Sequence, residues 1–115
     1  MSNSIFTKII NKEIPAYIIH EDEKHIAFLD INPLAQGHTL VVPKIEIDYI
    51  FDLPTDAYES LWIFAKKIAS AIDKFSDAER IGIAVIGLEV PHAHIHLVPI
   101  NGIHDIDFSK PKLKL

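Results

Sequence analysis

The sequence predicts an α+β domain: a mostly antiparallel sheet of about five strands, one short N-terminal helix and one long helix. Three observations carry this. Pro91-His92-Ala93-His94-Ile95-His96-Leu97-Val98-Pro99 alternates strictly, as a strand with one packed face does. Residues 17–21 and 25–29 are apolar-rich runs around the polar Asp22-Glu23-Lys24, the pattern of a hairpin. Leu61, Phe64, Ala65, Ile68, Ile72 and Phe75 recur at helical spacing, over about five turns.

Taken in order, Ser4 is placed to cap a short helix whose Ile5, Phe6, Ile9 and Ile10 share a face. Pro15 should end it. The hairpin follows, and His20 and His25 beside its turn read as solvated. Asp30 closes the returning strand, where a carboxylate serves either a turn or a ribose diol. Residues 34–37 form a loop, and His38 stands before the β-branched strand 39–42, which Pro43 closes. Pro54-Thr55-Asp56 starts the long helix with Thr55 as its cap. Trp62 lies off the apolar stripe, as an exposed aromatic or a dimer contact. Residues 80–86 form a strand, Gly87 turns the chain, and the histidine run pairs antiparallel with it. Residues 101–115 read as a tail, basic from 110 onward.

The histidine run carries the chemistry. On a strand, His92, His94 and His96 share one face, and Ala93, Ile95 and Leu97 the core face. Three imidazoles are hard to place as packing, because buried polar groups need partners that apolar ones do not. A metal site is a second reading, since imidazole ligates zinc. Yet His92 and His96 would lie roughly 13 Å apart along a strand, too far for three rings on one ion. The third reading is nucleophilic catalysis, and the flanked His94 is then the attacking ring.

The run resembles the signature of the histidine triad (HIT) family. Residues 4–15, Phe28-Leu29-Asp30-Ile31-Asn32-Pro33 and Gly37-His38-Thr39-Leu40-Val41-Val42-Pro43-Lys44 are similar to its Hint branch. The resemblance implies one HIT domain over 1–115, commonly a homodimer. It also implies a nucleoside phosphoramidase or nucleotidyl hydrolase or transferase. Such an enzyme acts on purine nucleoside monophosphate derivatives, of AMP or GMP, through a nucleotidyl-histidine. His94 would be the nucleophile, with His92, His96 and His38 in support; His38 would orient His92 or His96. Ile5, Phe6, Ile9, Ile14, Leu29 and Ile31 would hold the nucleotide, and Asp30 its ribose. A phosphate-contacting asparagine of the branch falls at Ala84, and its leaving-group serine or threonine at Glu89. Glu89 is therefore expected to turn from the phosphate or to bind a cationic leaving amine. Some relatives bind zinc through cysteines where this chain has Ser4 and Thr7, so that site is not expected. Neither a metal nor a cofactor is required. A non-catalytic nucleotide-binding module and a histidine metal-binding protein are the alternatives.

Composition narrows the field. The 115 residues are 49% hydrophobic, carry a net charge of −5 and contain no cysteine. That suits one domain with its own core, without disulfides or thiolate metal sites. The acidic balance argues against a stable nucleic-acid complex. No signal peptide or membrane span is visible, and a cytoplasmic location is expected.

Overall fold

Alternation along the central strands divides the apolar residues between two faces of one sheet. The structure, a computed structural model, describes residues 3–109. Helix α1 (Ile5–Ile10) precedes β1 (Ile18–Glu21), β2 (His25–Leu29) and β3 (Thr39–Pro43). Then come α2 (Thr55–Phe75), β4 (Arg80–Ala84) and β5 (Ile95–Ile100). The strands lie in the order β1-β2-β3-β5-β4, and every pairing is antiparallel. The expected α+β class and five-stranded sheet are what forms.

On one face Ala27, Val41, Ile95 and Leu97 pack against Leu61, Phe64, Ala65 and Ile68 of α2. On the other, Ile26, Phe28, Leu40 and Val42 meet Phe6 and Ile9 of α1. The two helices differ in reach: α2 has 21 residues and α1 has 6. A six-residue helix does not hold itself together in water. Phe6 and Ile9 anchor α1, and the Ser4 hydroxyl caps it by accepting the Thr7 N–H at 3.0 Å. So short a helix leaves room beside it on that face, and His94 and His96 line that space.

Several boundaries differ from the sequence reading. Thr55 is the first residue of α2 rather than its cap; Pro54 holds the cap position with no side-chain bond. A proline can stand there because its missing N–H has no helical partner to lose. Phe75, expected on the buried stripe, is 91% exposed at the last turn of α2. Helix α1 stops at Ile10, well before Pro15, and Lys12 takes a left-handed φ of 64°. Strand β4 ends at Ala84, opposite His96, and Gly87 makes the expected turn with φ 76°. His25 is buried, not solvated. The basic run at 110–115 lies outside the described residues.

Strand β5 begins only at Ile95. His92 and His94 therefore sit in the segment leading into it. That segment is held by His92 N–H to the Val90 carbonyl (2.8 Å) and Ala93 N–H to the Ile47 carbonyl (2.7 Å). The alternation survives: Ala93 joins the α2-side core, while the His92 and His94 rings lie against Phe6 of α1.

Candidate active site

His94 is buried, edge-on to Phe6 at 4.9 Å and to His96 at 4.9 Å between ring centres. Its Nδ1–H donates to the backbone carbonyl of His92 at 2.7 Å. A neutral imidazole with its proton on Nδ1 has a lone pair on Nε2. Burial pushes the His94 imidazole below its ordinary range. That outweighs the His92 carbonyl and the carboxylates of Asp30 and Glu89, which favour the charged form. The ring is thus neutral at pH 7 and nucleophilic at Nε2. The sequence reading placed His92 in support of His94; it is the His92 main chain rather than its ring that makes the bond.

His96 and His38 form a directional pair. The Leu34 N–H donates to His38 Nδ1 at 3.0 Å, which leaves the His38 proton on Nε2. That nitrogen lies 3.0 Å from His96 Nδ1, so His38 donates and His96 accepts. The His96 proton is then on Nε2. Of the two expected partners for His38, the structure gives it His96. Asp30 Oδ2 stands 3.6 Å from His38 Nε2, beyond direct hydrogen-bond range. Asp30 Oδ1 accepts the Asn32 N–H at 2.9 Å, so the carboxylate does form the turn it was read as capable of. The ligand atoms of Asp30, His38 and His96 lie within 4.8 Å of one another. A cation there would compete for the nitrogens that these hydrogen bonds already use.

His92 is fully buried and turned inward. Its Nε2–H donates to the Pro43 carbonyl at 2.7 Å, and its Nδ1 accepts from the Ser4 hydroxyl at 2.7 Å. Glu46 closes this cluster, accepting from the Ser4 N–H at 2.8 Å and from the Thr7 hydroxyl. Those bonds, Thr7 first, hold the Glu46 carboxyl below the usual carboxylate range. Burial likewise lowers the His92 imidazole, with the Pro43 carbonyl opposing. The hydroxyls of Ser4 and Thr7 are thus engaged with His92 and Glu46. The cluster ties α1 to the segment whose carbonyl sets the His94 tautomer.

Beside the rings is a cavity of about 460 Å³, the size of a small-ligand pocket. Ile5, Phe6, Ile9 and Ile14 line one part of it. Leu29, Asp30, Ile31 and Glu89 also line it, as do His94 and His96. His38 and His92 stand behind, buried. Among the lining residues that sequence reasoning missed are Phe28, Leu40 and Phe108. The first two were legible from the period of their strands. Phe108 had no signal: it comes from the irregular segment after β5 and sets its ring 4.7 Å from that of His96. A second hollow, of about 320 Å³, reaches His94 and is walled by Tyr49, Phe51, Tyr58 and Trp62. Trp62 Nε1 is buried there with no hydrogen-bond partner among the described residues.

The HIT domain model matches residues 11–102. An uncharacterized HIT-like protein of Borreliella burgdorferi is 40% identical over 106 residues, 86% of this chain and 76% of that one. Adenosine 5'-monophosphoramidase HNT1 of Saccharomyces cerevisiae is 37% identical over 97 residues, 83% of this chain and 61% of that one. The crystal structure of a HIT family member from Bacillus subtilis superposes with a TM-score of 0.84 at 34% identity, covering 90% of this chain and 77% of that one.

Proposed function

The chain belongs to the HIT family, and from that premise we propose that it hydrolyses nucleoside phosphoramidates, with His94 as the nucleophile. The observation that carries this is the His94 tautomer, with Nδ1–H tied to the His92 carbonyl and Nε2 left to a cavity of nucleotide size. The similarity to a yeast adenosine 5'-monophosphoramidase supports the same substrate class.

The base lies among Ile5, Phe6, Ile9 and Ile14, with Leu29 and Ile31 beside it, and the ribose reaches Asp30. The Nε2 lone pair of His94 attacks phosphorus, and the phosphorus–nitrogen bond of the substrate breaks. Its electron pair goes to the amine nitrogen, which takes a proton from solvent and departs. His96 Nε2–H donates to a non-bridging oxygen, a fixed dipole where charge develops. Water then attacks the phosphorus. The Nε2–phosphorus bond breaks, its pair returns to His94, and a proton goes back to solvent. His38 keeps His96 in the donating tautomer, and the His92 cluster keeps the carbonyl in place. None of these steps calls for a metal or cofactor. A homodimer and a cytoplasmic location go with this reading. Among the described residues, no helix is long and apolar enough to cross a membrane.

The test is release of AMP or GMP from the corresponding phosphoramidates. Removing a nucleophile that acts in concert with its neighbours costs about 10³-fold or more. His94→Ala should therefore reduce turnover to background while AMP binding persists, and a quenched reaction should show a nucleotidyl adduct by intact mass. A wild-type protein that binds AMP but turns over none of several leaving groups is a binding module, and the hydrolase reading fails.

A further inference from the structure

The cluster under α1 draws its strand residues from β2 and β3. On the same face, β5 and β4 are met by the chain that follows β5. Alternation puts Gly82 of β4 on that face, with His96, Val98 and Ile100 of β5. A Cβ on Gly82 would stand 2.5 Å from Ile106 Cδ1 and 2.9 Å from Ile100 Cδ1. Gly82 thus makes a notch, and Ile106 fills it. Two residues on, Phe108 sets its ring edge-on to His96 at 4.7 Å and to His38 at 6.2 Å. The start of this segment is tied down as well. Asp105 Oδ2 accepts the Asn101 and Gly102 N–H groups at 2.7 and 2.8 Å, and Asn101 Oδ1 accepts the Glu79 N–H at 2.8 Å. Neither Gly82 nor Ile106 lines the cavity beside the histidines.

Resting on the hydrolase reading above, we propose that residues 101–109 form a strap whose Phe108 is a positioning residue. It holds His96 in place against His38, and Gly82 sets where the strap sits. The His38–His96 bond, 3.0 Å long, fixes a distance but leaves the His96 ring room to tilt about it. The Phe108 ring meets His96 from another direction and stops that tilt. Its bulk also keeps water from the pair, where a water donor competes with His38 for His96 Nδ1. With His96 so held, its Nε2–H stays aimed at the phosphoryl oxygen, and a small displacement there is costly to rate. The Phe108 side chain neither donates, accepts nor attacks; its effect reaches the phosphoryl group through His96.

The experiment moves the strap from its far end. Gly82→Ala adds one methyl under Ile106 and none in the cavity. The nearest atom it meets is the tip of a flexible side chain, so the fold accommodates it. With an adenosine phosphoramidate of butylamine, Gly82→Ala and Phe108→Ala should each lower kcat by about tenfold, with KM within about twofold of wild type. Phe108→Leu should fall between. Ile106→Val deletes the Cδ1 atom that the new methyl meets, so adding it to Gly82→Ala should recover most of the lost kcat. In a His38→Asn background, Gly82→Ala should cost less than about twofold more, because both act on the same ring. A second readout needs no turnover. Nitrogen NMR shifts of the imidazoles should show wild-type His96 in one tautomer, protonated on Nε2, and a mixture in Gly82→Ala and Phe108→Ala. A kcat unmoved by Gly82→Ala, a change confined to KM, or full additivity with His38→Asn overturns the proposal while the hydrolase reading stands. A wild type that releases no AMP overturns the hydrolase reading, and the His96 shifts then decide the strap: a tautomer that both variants leave intact overturns it.

Discussion

Two histidine clusters lie on opposite faces of the same sheet, and only one has the makings of a site. On the α2 face, His25 Nδ1 donates to the Asp22 carboxylate at 3.0 Å, and its Nε2 accepts from the Ser60 hydroxyl at 2.7 Å. The order Ser-His-Asp and the distances match a hydrolytic triad. Yet His25 is stacked on Phe64 at 4.8 Å, and Ser60 lies within α2, whose amides are spent on the helix. Those amides cannot serve as oxyanion donors, and Ser60 lines neither the 460 Å³ nor the 320 Å³ cavity. On the α1 face, His94 has a cavity and His96 a proton to offer it. Hydrogen-bond geometry is common to both clusters; space for a substrate and an uncommitted nitrogen belong to one. The α2-face cluster is a clasp between the hairpin and the helix.

The sharpest way to break this contrast is to disable a histidine of the α1 face that touches no substrate. His38→Asn removes the donor to His96 Nδ1 and frees His96 to adopt either tautomer. Loss of such a supporting group typically costs about 10- to 100-fold. The loss should fall on kcat, with KM for the nucleotide nearly unchanged. A fall in KM-dependent binding alone would mean that His38 shapes the cavity rather than the tautomer.

Ser60→Ala probes the opposite face and should do the reverse. It removes one hydrogen bond from a part-buried cluster, worth about 0.5–1.5 kcal/mol. Denaturant titration should register that loss, while activity per folded molecule stays at the wild-type value. Activity lost in proportion beyond stability would mean that the clasp communicates with the site, and the two faces would no longer be separable.

How much of this was legible in the sequence follows from the range of the forces involved. Period-two alternation is local, and it is enough to place His94 and His96 on the face opposite Ile95 and Leu97. The apolar face of α1 was legible for the same reason. What the alternation could not supply was where pairing begins, because strand ends depend on partners; β5 starts at Ile95, where β4 has already ended opposite His96 and the pairing with β3 stops at Val41, although β3 itself runs on to Pro43. His25 was misread because its polar turn looks solvated in sequence. Its burial comes from Ser60 and Phe64, more than thirty residues away. The Ser4–His92–Glu46 cluster joins three segments with no spacing in common. The His94 tautomer depends on a main-chain carbonyl, which no residue type encodes.

The last contrast concerns protons, and its effect is a slope rather than a step. His92 and His94 both have imidazoles lowered from 6.5, in each case by burial first. In the window between the lowered folded value and 6.5, the unfolded chain binds protons that the folded chain refuses. Stability is therefore fully present above that window and drains away as pH falls through it. The lowered carboxyls of Glu46 and Asp22 work in the same direction below their ordinary 4.5 and 3.8. Thermal melts from pH 8 to pH 5 should show Tm declining in the imidazole window for the wild type and less steeply for His92→Asn. The same titration governs rate, because protonating His94 consumes the Nε2 lone pair; kcat/KM should stay level from neutral pH down to the ordinary imidazole range and fall only below it. A Tm that climbs on acidification from pH 7 would mean that the buried rings are charged in the folded protein, and a charged His94 cannot attack phosphorus.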